Sequence, residues 1–162
     1  MHELRMPASG SKAEFYAELQ AQLAALLEGE TDLIANTANM ASLVYHALPD
    51  VNWAGFYFLK GDVLVLGPFN GNPACVRIAM GKGVCGSAAA ARESRLVEDV
   101  HAFPGHIACD AASRSELVVP LLKDGRVLGV LDLDSPLPGR FTTEDQAGCE
   151  SLAATLLASL KP

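Results

Sequence analysis

Residues 115–134 most constrain what this chain can fold into. Two runs of β-branched and aliphatic residues, 115–122 and 126–134, flank the tripeptide Lys123-Asp124-Gly125. An Asp-Gly pair between two such runs is a strong signal for a β-hairpin. The segment therefore predicts an antiparallel sheet, and such a sheet buries one face against other elements.

The rest of the chain adds helices and further hairpin strands. Ser11 and Glu14 have the spacing of a capping box and predict a helix that ends near Gly29. The remaining predicted elements are a helix over 31–48, strands over 53–59 and 63–66, a loop over 67–73, short strands over 75–79 and 96–97, a short helix over 84–92 and a closing helix from Thr142 or Thr143 to about 160. Because no βαβ alternation is present, we expect an α+β fold with an antiparallel sheet and helices packed on one face.

Length and charge exclude several classes of protein. A chain of 162 residues predicts a single domain spanning 1–162, with residues 1–10 as a flexible N-terminus. The net charge of −7 disfavours nucleic-acid and anionic-membrane partners. The sequence has neither a membrane-spanning apolar run nor a signal peptide, so we expect a cytoplasmic protein with no membrane partner.

Three carboxylates mark one face of the predicted hairpin. Asp132 and Asp134 alternate with Leu133, so both acids point to the same face. A three-residue loop over 123–125 would place Glu116 opposite Asp132, whereas a two-residue turn would place Glu116 opposite Leu133. We expect the three-residue loop, because the other register would bury Glu116 on the apolar face. That apolar face would comprise Leu117, Val119, Leu121, Val127, Leu131 and Leu133.

Two interpretations of this acidic cluster remain open from the pattern alone. The acids can form a solvated sheet edge or pair with an arginine such as Arg114. Alternatively, they form a pocket for a ligand ammonium group in which one carboxyl stays protonated, since crowded carboxylates repel one another.

The predicted strand 53–59 carries aromatic residues on both faces. Trp53 and Tyr57 share one face with Gly55 between them. Ordinary core packing explains this arrangement, and a cage for a methyl group or a cation is the functional alternative.

The cysteines Cys75, Cys85, Cys109 and Cys149 form no CxxC motif. In a reducing compartment they are core residues, metal ligands or redox-active thiols. His101, His106 and Cys109 do not have a standard metal-binding spacing, so no metal site is expected there. Cys109 lies in a predicted loop, where a thiol is reactive if a histidine or a helix N-terminus is close. Cys149 lies on the apolar side of the closing helix and is interpreted as core packing.

Three stretches of the sequence resemble a known family. They are GPFNGNPACVRIAMGKGVCGSAAA, VEDVHAFPGHIACDAASRSELVVPL and DGRVLGVLDLDSP. Together they resemble the free methionine-(R)-sulfoxide reductases, which are single GAF-domain enzymes. The similarity runs over nearly the whole chain, and the combination of three cysteines with HAFPGHIACD is highly specific.

The resemblance implies a role for individual residues. Cys109 matches the nucleophile, Cys75 the cysteine that forms a disulfide with it, and Cys85 a third cysteine that acts in regeneration. Glu116, Asp132 and Asp134 match the acidic pocket that holds the free amino acid and protonates the sulfoxide oxygen. Trp53 and Tyr57 match the aromatic wall around the methylthio group.

The resemblance also implies partners and a mechanism. The expected substrate is free methionine-(R)-sulfoxide, reduced through a cysteine sulfenic acid and a disulfide that a thioredoxin-type donor reopens. No metal or organic cofactor is expected, and a homodimer built through the helical layer is expected. Two other classes of function stay open: a small-molecule-binding GAF sensor and a thiol redox switch without a substrate.

Overall fold

The computed structural model of the protein describes residues 10–107 and 112–161. The flexible N-terminus predicted for residues 1–10 lies almost entirely outside these ranges. Cys109, the expected nucleophile, also lies outside them. The helices are α1 (Lys12–Leu27), α2 (Leu33–Ala47), α3 (Gly83–Ala91) and α4 (Thr143–Ser159). The strands are β1 (Trp53–Lys60), β2 (Val63–Gly71), β3 (Arg77–Ala79), β4 (Arg95–Val97), β5 (Ser115–Lys123) and β6 (Arg126–Ser135).

Three of the helices begin at side-chain caps. The Ser11 hydroxyl accepts a hydrogen bond from the backbone N–H of Glu14 at 3.2 Å, and the Asp32 carboxylate caps α2 in the same way. Thr142 and Asp145 form a reciprocal capping box at the start of α4. These caps satisfy backbone N–H groups that have no partner inside the helix, so the helix starts predicted from the sequence are confirmed.

The six strands form one antiparallel sheet in the order β3-β2-β1-β6-β5-β4. Helices α1, α2 and α4 cover one face and enclose the main hydrophobic core. Leu19, Met40 and Leu152 from these helices are fully buried against sheet residues such as Phe56 and Leu131. The expected α+β class with an antiparallel sheet is therefore confirmed.

The fourth helix, α3, lies on the opposite face of the sheet, a position that the sequence pattern did not predict. Its residues Val84, Cys85 and Ala88 form a second buried cluster with Trp53 and Tyr57 of β1. The residues Ala54, Phe56 and Phe58, which alternate with them on β1, belong to the main core. The expected division of the β1 aromatics between two faces is thus confirmed, and the α3 face is where a cavity forms.

The β5–β6 hairpin has a different register from the expected one. Its turn is the two-residue Asp124-Gly125, with φ values of 52° and 76°, and Lys123 pairs with Arg126. Leu128 is then an unpaired extra residue, since Leu122 pairs with Val127 and Leu121 pairs with Gly129. This β-bulge shifts the register by one residue beyond it.

The consequence of the bulge is that Glu116 lies opposite Asp134 and not opposite Asp132. The predicted pairing is therefore wrong by two residues, but a shift of two keeps every side chain above the bulge on its expected face. Between the bulge and the turn, the residues of β6 point to the sheet face opposite to the one expected. Val127 packs on the α3 side, and Leu128 takes the expected place of Val127 against the main core.

Strand β2 is longer than the sequence predicted. Residues 67–73 were expected to be a loop, but β2 continues to Gly71 and places Phe69 opposite Gly55. Glycine and proline at 67, 68 and 71 gave the segment the composition of a loop.

Among the helices of the described ranges, none has the length and apolarity required to cross a membrane.

Candidate active site

A cavity of about 50 Å³ lies between the sheet and the N-terminal end of α3. Strands β1, β5 and β6 supply its floor, and the segments before β3 and before β5 close its sides. Its lining includes all of the predicted site residues that lie on described strands and on α3. These residues are Trp53, Tyr57, Cys85, Glu116, Asp132 and Asp134.

The floor of the cavity carries the three carboxylates. Glu116 and Asp132 are 7% and 5% exposed, and Glu116 pairs with Asp134 across the two strands. Burial raises the pKa of Glu116 well above its ordinary value, and the charges of Asp132 and Asp134 raise it further. Burial also raises the pKa of Asp132. This arrangement can hold a proton on a carboxyl near neutral pH.

These acids are not a solvated sheet edge. Oδ1 of Asp132 is buried and has no hydrogen-bond partner. In the part of the chain that the structure describes, no arginine or lysine forms an ion pair with Glu116 or Asp132. Buried carboxylates without a cation are costly, so the site is built to receive a proton or a positively charged group.

Cys85 lies in the first turn of α3 and faces the acids. Its thiol donates a hydrogen bond to Oε2 of Glu116, with an Sγ–Oε2 distance of 3.9 Å, and the residue is 4% exposed. Burial raises the pKa of the Cys85 thiol, and the charges of Asp132 and Glu116 act in the same direction. The group therefore stays a thiol at neutral pH and is a weak nucleophile in this arrangement.

An aromatic wall stands beside the carboxylates. The rings of Trp53 and Tyr57 stack with centroids 6.0 Å apart, and the ring of Phe69 stacks with that of Trp53 at 5.2 Å. Trp53 Nε1 donates to the carbonyl of Asn72 at 3.1 Å. Such a surface suits a methyl group or a polarised sulfur.

Phe69 was missed at the sequence level because its segment was expected to be a loop. A usable signal was the glycine at position 55. A Cβ there would overlap the Cβ of Phe69 and approach Trp53 Cη2 to 2.8 Å. Gly55 thus marks the place where an aromatic side chain crosses the neighbouring strand.

Tyr57 connects the wall to the segment that carries Cys75. Its hydroxyl donates to the carbonyl of Cys75 at 2.8 Å. Burial raises the pKa of Tyr57, and the nearby carboxylates add to the effect, so the phenol stays protonated and remains a donor. Cys75 is partly buried and disulfide-bonded. Cys109 lies outside the described residues, so its expected role as nucleophile stays a prediction.

The cavity is also lined by residues that the sequence analysis did not assign to the site. Lys82 lies at its margin, and Ile107 and Ser113 belong to the segments on either side of the undescribed residues 108–111. His106 also lines it, and its ring contacts that of His101 edge-on at 6.3 Å. Burial lowers the pKa of His106, and the charge of His101 adds to this effect.

The fourth cysteine is remote from this site. Cys149, on the inner side of α4, is fully buried in the main core. Burial raises the pKa of its thiol to about 12. The position agrees with the packing role expected for it.

The donor atoms in the cavity can also hold a cation. One atom each from Cys85, Glu116 and Asp132 lie within 4.8 Å of one another. Both the ammonium group of an amino acid and a metal ion satisfy a set of this kind.

Known proteins share both the sequence and the fold. Residues 17–160 match the family described as GAF domain. Free methionine-R-sulfoxide reductase of Escherichia coli (strain K12) is 55% identical over 146 residues, which are 90% of this chain and 88% of that protein. The protein of the same name from Saccharomyces cerevisiae is 42% identical over 88% of this chain and 84% of that protein.

A solved structure extends the similarity to three dimensions. The X-ray structure of free methionine-R-sulfoxide reductase from Neisseria meningitidis in complex with its substrate superposes with a TM-score of 0.93. It is 43% identical in sequence, and the match covers 98% of this chain and 95% of that one. The chain therefore belongs to the GAF-domain family of oxidoreductases known as free methionine-R-sulfoxide reductases.

Proposed function

We propose that this protein reduces free L-methionine-(R)-sulfoxide to L-methionine with its own cysteines as the reductant. The observation that carries the proposal is that Glu116, which is buried, and its cross-strand partner Asp134, which is half-buried, line the same cavity as Trp53 and Tyr57. The names of the E. coli and yeast relatives and the substrate complex of the N. meningitidis protein support the substrate.

The site accounts for the choice of a free amino acid. The α-ammonium group of the substrate would neutralise the buried acids, including the unpartnered Oδ1 of Asp132. A methionine sulfoxide residue within a peptide has no ammonium group at this position, so it would leave the buried charges uncompensated. The penalty for an unpaired buried charge is several kcal/mol, which is about a thousandfold or more in affinity.

The aromatic wall would hold the other end of the substrate. The S-methyl group would lie against Trp53 and Tyr57, with the sulfoxide oxygen toward the carboxyls. Fixing the ammonium, the methyl group and the oxygen at three separate points distinguishes the two epimers at sulfur. We assign the preference for the R epimer on this basis together with the family membership.

The carboxyl that keeps its proton supplies the acid that the chemistry needs. A sulfoxide sulfur becomes electrophilic when its oxygen accepts a proton, and the raised pKa of Glu116 keeps such a proton available. We assign the attacking thiolate to Cys109. Its sulfur attacks the substrate sulfur and takes over the oxygen, so that methionine leaves and Cys109 becomes a sulfenic acid.

A second cysteine then completes the turnover. The Cys75 thiol condenses with the sulfenic acid, which forms an S–S bond and releases water. A thioredoxin-type dithiol reduces that disulfide by exchange and is itself oxidised. The balance is one sulfoxide and two thiols converted to one sulfide, one disulfide and one water. The disulfide at Cys75 is consistent with a resolving role for this residue.

We assign Cys85 to the same redox cycle, as a thiol that faces the acids and acts after the first attack. Its raised pKa argues against its being the first nucleophile.

We further propose a cytoplasmic location, because the cycle consumes thiol reductant. We also propose a homodimer formed through the helical layer. On that layer Ile34 of α2 is an aliphatic residue that is 57% exposed. Light scattering coupled to gel filtration tests the dimer.

The decisive experiment follows NADPH consumption with thioredoxin and thioredoxin reductase. Free methionine-(R)-sulfoxide, its S epimer and an N-acetylated methionine sulfoxide are offered separately. Turnover with the free R epimer alone is the expected result. Absence of turnover with folded, reduced protein contradicts the proposal and favours a GAF sensor.

Single-turnover measurements separate the roles of the cysteines. Cys109→Ser should release no methionine, and retained release would place the nucleophile elsewhere. Cys75→Ser should release about one methionine per chain and then stall with thioredoxin. Unimpaired cycling of that variant would make Cys85 the main resolving thiol. Cys149→Ser serves as the control, because Cys149 lies in the main core.

A further inference from the structure

The side chains of Cys85, Glu116 and Asp132 form a donor set that the reduction of a sulfoxide does not require as a unit. One thiol and two carboxylates converge within 4.8 Å, and all three residues are buried. Oδ1 of Asp132 lines this cluster without any hydrogen-bond partner. We propose that the three side chains bind a thiophilic divalent cation, of which Zn²⁺ is the natural representative, and that the bound cation excludes the substrate.

The spacing of two of the three donor atoms is close to that in a zinc site. Bonds of about 2.3 Å to sulfur and 2.0–2.2 Å to oxygen, at a tetrahedral angle, put the two ligand atoms about 3.5 Å apart. The Sγ of Cys85 lies 3.9 Å from Oε2 of Glu116. A closure of a few tenths of an ångström, which side-chain rotation provides, therefore brings both atoms into bonding distance. The fourth position would face the cavity and hold a water molecule.

The chemistry of the donors selects the kind of cation. Sulfur is a poor ligand for Mg²⁺ and Ca²⁺, whereas zinc and cadmium accept mixed sulfur and oxygen ligands. Binding releases the Cys85 proton and the proton held on the carboxyls to solvent, and leaves an M²⁺ ion bonded to one thiolate and two carboxylates. The cation removes the repulsion between Glu116 and Asp132, for which the described residues offer no ion-pair partner.

The position of the site predicts competition with the substrate. The same carboxylates are those assigned above to the substrate ammonium, and they line the same cavity as Trp53 and Tyr57. A metal ion and an amino acid therefore cannot occupy the acids together. Metal binding itself is independent of the proposed function, but the inhibition rests on it.

The test uses the full-length chain with Cys75→Ser and Cys109→Ser, so that the thiols of the redox cycle contribute no ligands. Co²⁺ is titrated in a phosphine reductant, which does not chelate the metal as dithiols do. Thiolate-to-cobalt charge transfer in the near ultraviolet reports a Cys–metal bond, and calorimetry with Zn²⁺ gives stoichiometry and affinity. We expect one metal ion per chain and a charge-transfer band of one thiolate.

Two further substitutions in this background, together with one control, identify the ligands. Cys85→Ser should abolish the band, and Cys149→Ser, which removes a buried thiol elsewhere, should leave it unchanged. Glu116→Gln keeps the thiolate and should weaken Zn²⁺ binding at least tenfold. If Cys85→Ser fails to fold, the Zn²⁺ affinity of Glu116→Gln still tests whether the metal binds at this cluster. An unchanged band in Cys85→Ser, unchanged affinity in Glu116→Gln, or no binding below millimolar metal overturns the proposal.

Competition is measured separately. L-methionine should lower the apparent Zn²⁺ affinity of the same background in proportion to its concentration, and Zn²⁺ should raise the KM for methionine sulfoxide in the unmodified enzyme. Metal binding without any competition overturns the inhibitory role. A chain that binds Zn²⁺ through Cys85 but reduces no sulfoxide would uphold the metal site and contradict the proposed function, so the two failures are distinguishable.

Discussion

Glu116 on β5 lies directly opposite Asp134 on β6, and both line the cavity. Like charges at directly opposed positions destabilise a sheet, and burial increases that cost. No such pair is needed to hold the two strands together, since the alternate residues Leu117, Val119 and Leu131 fill the main core. The acidic pair therefore lowers the stability of the fold, and we attribute its presence to substrate binding and proton donation in the cavity.

The first prediction concerns the charge of Glu116. Glu116→Gln should fold with a free energy of unfolding at pH 7 equal to or greater than that of the native protein, because it removes a buried acid that repels its neighbours. Turnover should fall about 100-fold or more, the usual contribution of a general acid. Steady-state rates and chemical denaturation measure the two effects. Glu150→Gln on the exposed surface of α4 is the control, and full activity in Glu116→Gln would contradict the acid role.

The second prediction is a pH dependence of stability. Glu116 and Asp132 have raised pKa values in the folded state, so the folded protein binds their protons more tightly than the unfolded chain does. Their contribution to stability is complete below their ordinary values of 4.5 and 3.8 and is lost as the pH rises through the folded values. Denaturation at a series of pH values between 4.5 and 8 measures this loss.

A second titrating group requires a comparison with a variant. The lowered pKa of His106 acts in the opposite sense, since it makes stability rise with pH up to about its ordinary value of 6.5. The readout is therefore the difference between the native protein and Glu116→Gln. That difference should move in favour of the variant as the pH increases, and a difference that stays constant over this range contradicts the raised pKa.

The third prediction tests the aromatic wall through Gly55. An added methyl group there would overlap Phe69 and come within 2.8 Å of Trp53 Cη2. Gly55→Ala should therefore displace the stacked rings and raise the KM for methionine sulfoxide about tenfold, while kcat changes less. Gly61→Asn, in the β1–β2 turn, is the control, because its surroundings are open and asparagine tolerates a positive φ. An unchanged KM in Gly55→Ala would remove the wall from the substrate site.

The parts of this site that the sequence predicted correctly are those that depend on local sequence patterns. The alternation of Asp132, Leu133 and Asp134 was enough to place the acids on one face, because period-two alternation is a property of any strand. The helix starts followed from side chains such as Asp32 that act on their immediate neighbours. Both inferences use only local interactions.

The errors arose where distant parts of the chain meet. The bulge at Leu128 is one extra residue that no local pattern reveals, and together with the two-residue turn it pairs Glu116 with Asp134. The position of α3 on the second face, and with it the approach of Cys85 to Glu116, depends on packing across 31 residues of sequence. The strand character of Phe69 comes from pairing with β1, which outweighs the loop composition around it.

The fourth prediction separates the stability of the fold from the activity of the site. Tyr16 of α1 packs its ring against Gly148 of α4, and its hydroxyl donates to Oδ1 of Asp145 at 2.7 Å. An added methyl group at 148 would overlap that ring, so Gly148→Ala should lower the free energy of unfolding by about 2 kcal/mol, as overpacking does in a buried contact. The folded fraction should keep its kcat, because this contact lies in the helical layer on the sheet face opposite the cavity.

The matched control for this contact is Ser151→Ala, an exposed position one turn further along α4, which should change stability by less than about 0.5 kcal/mol. Tyr16→Phe retains the ring and should cost about 1 kcal/mol through the lost hydrogen bond to Asp145. Denaturation with the activity measured per folded molecule gives both quantities. If Gly148→Ala were as stable as the native protein, the close packing of α1 on α4 would be wrong. If its kcat fell at full folding, the helical layer would be coupled to the acids of the cavity.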